Sequence, residues 1–474
     1  MGMARMREAP LAAPARWARR SVSGQPGRTA TAILLVFGAV AFEASPAMAQ
    51  TSDERIRALE QQMEAMRRTM ETMATELEAL RKAEPPPVIA APAPAPPSPA
   101  LPPEQQPTVA RDESPEETII TTEEATEPIV SSSQPRVKVS LSGQVNRAIN
   151  LANDGESTKA YFVDNNVSNS RLRALGLANY SEDIRLGGLL EVAFSPNNSG
   201  DVSQTNEATD DLIDVRRADT AVDSRRFGRL WLGKGNSATD NVAEYDLSGV
   251  DVIMYASVAD IAGGLLFRDD DGDLTNVTIG DAFFDFDGNR ENRARYDTPV
   301  LGPGFQFSVS AGADQNYDAS LNWGGDFDLQ PGVDIGPFTT LAAIGISDPS
   351  EEGVDYRVMG SGSIFHNPTG LNLTLSGGMD QADEGDPYNL YGKLGWFGTM
   401  NTLGNTGVGV DFTRGNDVSA PGDTGYSVGG AVVQTIAGFG TELYSQVRWY
   451  SLDRDDAASV DDIVVGTFGS RVKF

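Results

Sequence analysis

Two sets of charged residues carry whatever chemistry this chain performs. Seven aspartates (Asp269, Asp270, Asp271, Asp273, Asp281, Asp285 and Asp287) crowd a stretch that also holds Asp240, Glu244, Asp246, Asp251 and Asp260. Arginines stand elsewhere: Arg171 with Arg173 and Arg293 with Arg295 are spaced to share a strand face, and Arg185 lies on the polar face of its own strand. Carboxylates set across a narrow gap from guanidinium groups create a transverse field, which sorts ions without making or breaking a bond. The plainer alternative is that these arginines pair with neighbouring carboxylates and solvate the rims.

Bond-making chemistry fails on inventory. His366 is the only histidine, at a turn before Asn367-Pro368, and there is no cysteine. A histidine-based triad, a multi-histidine or thiolate metal site and a disulfide framework are all excluded. Carboxylate pairs are abundant but nothing selects one, so no catalytic residue and no enzyme is expected. Asp269, Asp271 and Asp273 suit Ca2+ as hard oxygen ligands. Their spacing does not match an EF-hand, however, and a solvated turn is the simpler reading. No cofactor is required.

Strands must position these charges. From Arg136 to Phe474, Gly, Asn and Asp punctuate stretches that alternate apolar and polar residues. Val137, Val139, Leu141, Gly143 and Val145 face one way, against Lys138, Ser140, Ser142, Gln144 and Asn146. At the C-terminus Val464, Gly466, Phe468, Ser470, Val472 and Phe474 oppose Val465, Thr467, Gly469, Arg471 and Lys473. An apolar face with Arg and Lys behind it suits a wall between lipid and water. Sixteen strands are predicted, near 136–150, 170–180, 184–194, 212–224, 228–235, 290–299, 304–314, 316–328, 335–347, 355–367, 370–381, 388–398, 405–415, 424–436, 440–453 and 461–474. A soluble sandwich would place bulky apolar residues on the faces that here are small, polar or charged. No apolar run after residue 49 reaches the roughly 20 residues of a spanning helix, so any membrane crossing needs a closed barrel. The expected fold is all-β: a 16-stranded antiparallel transmembrane β-barrel over 136–474 with a watery lumen. The 236–289 connection is the longest, and its Ile253, Met254, Tyr255, Leu265, Leu266, Phe267, Phe283, Phe284 and Phe286 argue for a loop folded inward.

Three segments precede the barrel. Residues 1–49 read as a signal peptide: Arg16, Arg19, Arg20 and Arg28, an apolar stretch from Thr29 to Phe42, then Ala47-Met48-Ala49. Residues 50–84 form a coiled-coil helix, α-helical, with a 3-4 seam of Ile56, Leu59, Met63, Met66, Met70, Met73, Leu77 and Leu80. Four core Met leave the oligomer number open. Residues 85–135 are a Pro-rich, then acidic, linker. The whole chain has formal charge −30, with 67 Asp and Glu against 37 Lys and Arg, so a nucleic-acid partner is disfavoured. An even strand count puts both barrel ends on the periplasmic side, where the arm would staple protomers or contact the cell wall.

Several stretches resemble the general porins of alphaproteobacteria. They are Val139 to Ala148, Asp164-Asn-Asn with Ser170-Arg-Leu-Arg173, Phe227 to Gly235, and Ala238 through Gly249. The resemblance covers 136–474. It implies a 16-stranded homotrimer in outer-membrane lipid that passes ions and small hydrophilic solutes by diffusion. It also implies that the third external loop, here 236–289, folds inside as the constriction. Matching positions for that constriction are Asp269, Asp270, Asp271 and Asp273 on the loop, with Arg171, Arg173 and Arg185 on the wall. Phe474 is similar to the terminal aromatic read by the outer-membrane assembly machinery. The acidity of 136–474 suggests cation preference. Two other functions stay open: a plugged barrel serving as an envelope tether through its arm, and a substrate-selective channel.

Overall fold

A computed structural model describes residues 136–474 apart from 210–212, 314–315, 328–335, 352, 384 and 456. The signal peptide, coiled coil and linker lie outside the described residues. In chain order the strands are β1 (Val137–Asn153), β2 (Thr158–Asp164), β3 (Arg171–Asn179), β4 (Ile184–Ala193), β5 (Asp214–Ser224), β6 (Gly228–Asn236), β7 (Leu266–Arg268), β8 (Leu274–Thr278), β9 (Arg290–Asp297) and β10 (Phe305–Gly312). There follow β11 (Tyr317–Phe327), β12 (Phe338–Asp348), β13 (Val354–His366), β14 (Leu371–Ala382), β15 (Tyr388–Asn401), β16 (Gly404–Asn416), β17 (Thr424–Ile436), β18 (Thr441–Asp453) and β19 (Ile463–Lys473).

The strands of the wall pair antiparallel in chain order, β6 joins β9 across the long loop, and β19 returns to β1, with Val145 opposite Val472 and Ile149 opposite Phe468. One flank of β1 is shared: β3 takes Val137–Gln144 and the short β2 takes Arg147–Asn153. Leaving β2 and the separate β7–β8 hairpin aside, sixteen staves close the barrel. Closure satisfies every sheet edge, the condition for a sheet to cross hydrocarbon. At the seam Gly143 N donates to Phe474 O at 2.8 Å, and Phe474 N returns a bond to Gly143 O at 2.9 Å. An added Cβ on Gly143 would lie 3.0 Å from the Phe474 ring and 2.8 Å from Arg171 O.

The period-two pattern sorts the two faces. Val145, Leu232, Ile344, Leu394, Val447 and Phe468 are exposed on the outside, while Gln144, Asn146, Trp231, Lys393, Arg448 and Arg471 are buried inside. The apolar core is therefore not between sheets but inside the lumen. There the 237–289 loop lays Val250, Val252, Ile253, Met254, Val258, Ile261 and Phe267 against Tyr391, Tyr444, Tyr450, Ile463 and Val465 of the wall. Fully burying such a side chain is worth roughly 1.5–3 kcal/mol, which offsets the entropy of ordering a long loop. The sequence reading missed three pieces of local structure: β2, the β7–β8 hairpin, and the single helical turn Ile279–Ala282. β7, of three residues, and the four-residue helical turn are shorter than the windows in which a period can be counted.

Candidate functional site

Small hydroxyl residues on the inward faces dock the loop. Ser310 accepts from Ala238 N (2.7 Å), Ser361 from Tyr245 N (3.0 Å) and Ser363 from Leu247 N (2.9 Å). Further round, Gln446 donates to Ile253 O, Tyr450 to Val258 O and Asn150 to Ile261 O. The loop thus follows the wall from β10 to β1. Gly249 sits at φ +70°, and a Cβ there would overlap the Phe397 ring at 2.2 Å, so only glycine allows this approach. Lys393 is fully buried; it donates to Met254 O at 2.8 Å and pairs with Asp246.

Cationic groups gather around Glu191. Arg173 reaches its Oε2 through Nε at 2.8 Å and Nη2 at 2.6 Å, Arg216 its Oε1 at 2.7 Å, and Arg171 lies 4.0 Å away. Arg216 gets there by a β-bulge. Register shifts between Glu191 and Val192, so Arg217 pairs with Glu191 and Arg216 is the extra residue. Both consecutive arginines then turn inward. Arg290 adjoins this group through Asp240, 3.6 Å from its Nε.

Acidic groups of the loop face this row. Asp287 accepts from Asn241 N (2.5 Å) and Ala243 N (2.7 Å). Ser257 Oγ donates to Glu244 at 3.3 Å and to Asp285. Asp260 accepts from Asn166 at 2.7 Å and from the Tyr255 hydroxyl. Burial, reinforced by Asp285 and Asp240, pushes Asp287 well above the usual carboxylate range. Burial and then Asp287, Asp285 and Asp240 do the same to Glu244. Burial raises Asp260 to about 6, with Asp285 adding to it and the Tyr255 bond opposing. Asp260 therefore takes up a proton as pH falls through about 6.

The structure brings some predicted residues into this arrangement and puts others elsewhere. Arg171, Arg173, Asp285 and Asp287 lie in it. Arg293 and Arg295 instead hold the loop's root: Arg293 bonds Asn236 O and Asp219, and Arg295 bonds Ser237 O and Asp297. Arg185 pairs with Asp223 at 3.0 Å, beside the short turn before β4. Asp269, Asp270, Asp271 and Asp273 form the tip of the β7–β8 hairpin, where Asp269 caps the turn by accepting from Asp271 N and Asp273 N. Asp270, Asp271 and Asp273 are exposed, and the tip leans on Ser459 and Asp461 rather than on the arginine row. Asp281 is exposed and caps the helical turn with Thr278. Arg216, Arg290 and Glu191 were missed. The consecutive Arg216-Arg217 pair, which breaks strict alternation, was the available signal.

The family model described as Gram-negative porin matches residues 124–455. No curated protein matches the chain. Among solved structures, an anion-selective porin from Comamonas acidovorans is 14% identical, with TM-score 0.49, over 71% of this chain and 100% of its own. OmpT, an outer membrane protein of Vibrio cholerae, is 12% identical with TM-score 0.48, over 74% and 100%. The outer membrane channel DcaP of Acinetobacter baumannii is 12% identical with TM-score 0.46, over 73% and 99%.

Proposed function

Because this chain belongs to the Gram-negative porin family, we propose that it is a general diffusion porin of the alphaproteobacterial kind, passing ions and small hydrophilic solutes with a preference for cations. Family membership supports a passive outer-membrane channel rather than an enzyme. One observation carries the finer reading: the inward loop sets Asp240, Glu244, Asp260, Asp285 and Asp287 against Arg171, Arg173, Arg216 and Arg290. With Glu191 included, six carboxylates stand against four guanidinium groups, so the fixed potential concentrates cations as the raised carboxyls lose their protons with rising pH.

In this proposal the protein is a homotrimer in outer-membrane lipid, with its long loops outward and its N-terminal arm in the periplasm. The assembly machinery reads Phe474, and the arm contacts the cell wall or neighbouring protomers. No cofactor is part of it. Purified protein in a planar bilayer should conduct in discrete steps, and a salt gradient should give a zero-current potential of the cation-preferring sign. A silent barrel would favour the tether reading, and an anion-preferring potential would reject the selectivity. Saturable conductance with one solute class would instead mark a substrate-selective channel.

A further inference from the structure

A cavity of about 510 Å3 opens at the long-loop end, between the helical turn Ile279–Ala282 and the chain entering β13 and leaving β14. That volume lies within the range of small-molecule sites. Its apolar side is made by Phe284 and Phe286, packed edge to face at 4.9 Å. Phe286 is 1% exposed, whereas Phe284 is 40% exposed and turned to the opening. The Arg357 guanidinium lies 4.8 Å from the Phe284 ring and 5.8 Å from Phe286, packing against both rings.

The polar side carries net negative charge. Among the described residues lining the cavity, Arg357 is the one cationic side chain. It is already neutralised, forking onto Asp380 at 2.7 and 2.9 Å and reaching Glu351 at 3.1 Å. Glu351 stays half exposed, and Asp281 is exposed, its Oδ2 held by Thr278. Three carboxylates thus line the cavity, two of them on its guanidinium, beside an accessible aromatic ring.

We propose that this cavity binds an organic cation bearing an apolar group, such as a substituted ammonium. The ring takes the apolar group and the near edge of the cation, and Glu351 and Asp281 take the charge. An anion would meet uncompensated carboxylates. A neutral solute would gain the ring contact alone.

Titration calorimetry of the full-length protein in detergent with benzyltrimethylammonium tests this. The readout needs no open channel, so a protein that is silent in bilayers leaves the test intact. Saturable binding is expected, weakening as salt rises, with no comparable binding of benzyl alcohol. Phe284→Ala should weaken it roughly two- to fivefold, the size of an exposed cation–π contact. Glu351→Gln and Asp281→Asn should each weaken it as well, with heat-modifiable gel mobility unchanged to show an intact barrel. Absence of binding, equal binding of the alcohol, or parental affinity in Phe284→Ala would each overturn the proposal.

Discussion

Replacing Asp260 with asparagine isolates one titrating charge in the proposed constriction. The amide keeps one oxygen for the Asn166 donor, presents its NH2 to the Tyr255 hydroxyl oxygen, and holds no charge. With the parent carboxyl at about 6, about a tenth of the molecules are ionised at pH 5 and nearly all at pH 7.5. One unit charge about 6 Å from a passing ion in water is worth about 0.7 kcal/mol. Screening at about 0.1 M salt roughly halves that. Cations are then enriched about twofold and anions depleted about twofold, so the cation-to-anion permeability ratio should rise roughly three- to fourfold between these pH values. The sign for stability is opposite. Because the folded value lies above the ordinary 3.8, this carboxyl's contribution is full below about pH 4 and lost as pH rises through about 6. Its upper bound is about 3 kcal/mol. Zero-current potentials in a KCl gradient at pH 5, 6 and 7.5 measure the first effect. Hydrogen exchange over residues 253–262, corrected for intrinsic rates, measures the second. The parent should show a step near pH 6 that Asp260→Asn largely removes. A variant that titrates as the parent does would refute the reasoning.

Three further outcomes are expected. Lys393→Met leaves Asp246 buried without its cation, a loss of about 3–5 kcal/mol; limited proteolysis should cut within 240–262, and adding Asp246→Asn should restore most protection. Gly378→Ala would place a Cβ 2.4 Å from that of Phe286 and 3.1 Å from Asp285 O, pushing the acidic row inward at a strain of about 1–3 kcal/mol. Its single-channel conductance should change while gel mobility does not; an unchanged conductance counts against residues 285–287 lining the path. Removing Phe474 deletes both hydrogen bonds to Gly143, so assembled barrel should fall while export continues, and normal levels in the outer membrane would sink that account.

The wall of this protein is legible in its residues. Period-two alternation decides which side chains meet lipid, and the last strand shows why: Val464, Phe468, Val472 and Phe474 are exposed while Val465, Thr467 and Arg471 are buried. Each strand obeys its own local pleat, so no distant information is needed to place it. The length and aromatic content of 236–289 likewise announced an inward loop, because so many apolar groups must find cover. Which acids of that loop face which arginines was another matter. Asp269 to Asp273 looked like the densest charge, yet a tight turn needs solvent and they cap the tip of a hairpin. Asp260, Glu244 and Asp287 are scattered through the sequence and meet only because the loop is pinned by Ser310, Ser361, Lys393 and Tyr450 from four different strands. Arg216 enters the site through a one-residue bulge opposite Glu191. Sequence alone determined the barrel, its strand count and its faces, since these follow from nearest-neighbour geometry. Tertiary structure decided the charge pairing across the lumen, since that depends on where the wall pins the loop, through contacts such as Ser361 with Tyr245, Lys393 with Asp246 and Tyr450 with Val258 that join residues more than a hundred positions apart.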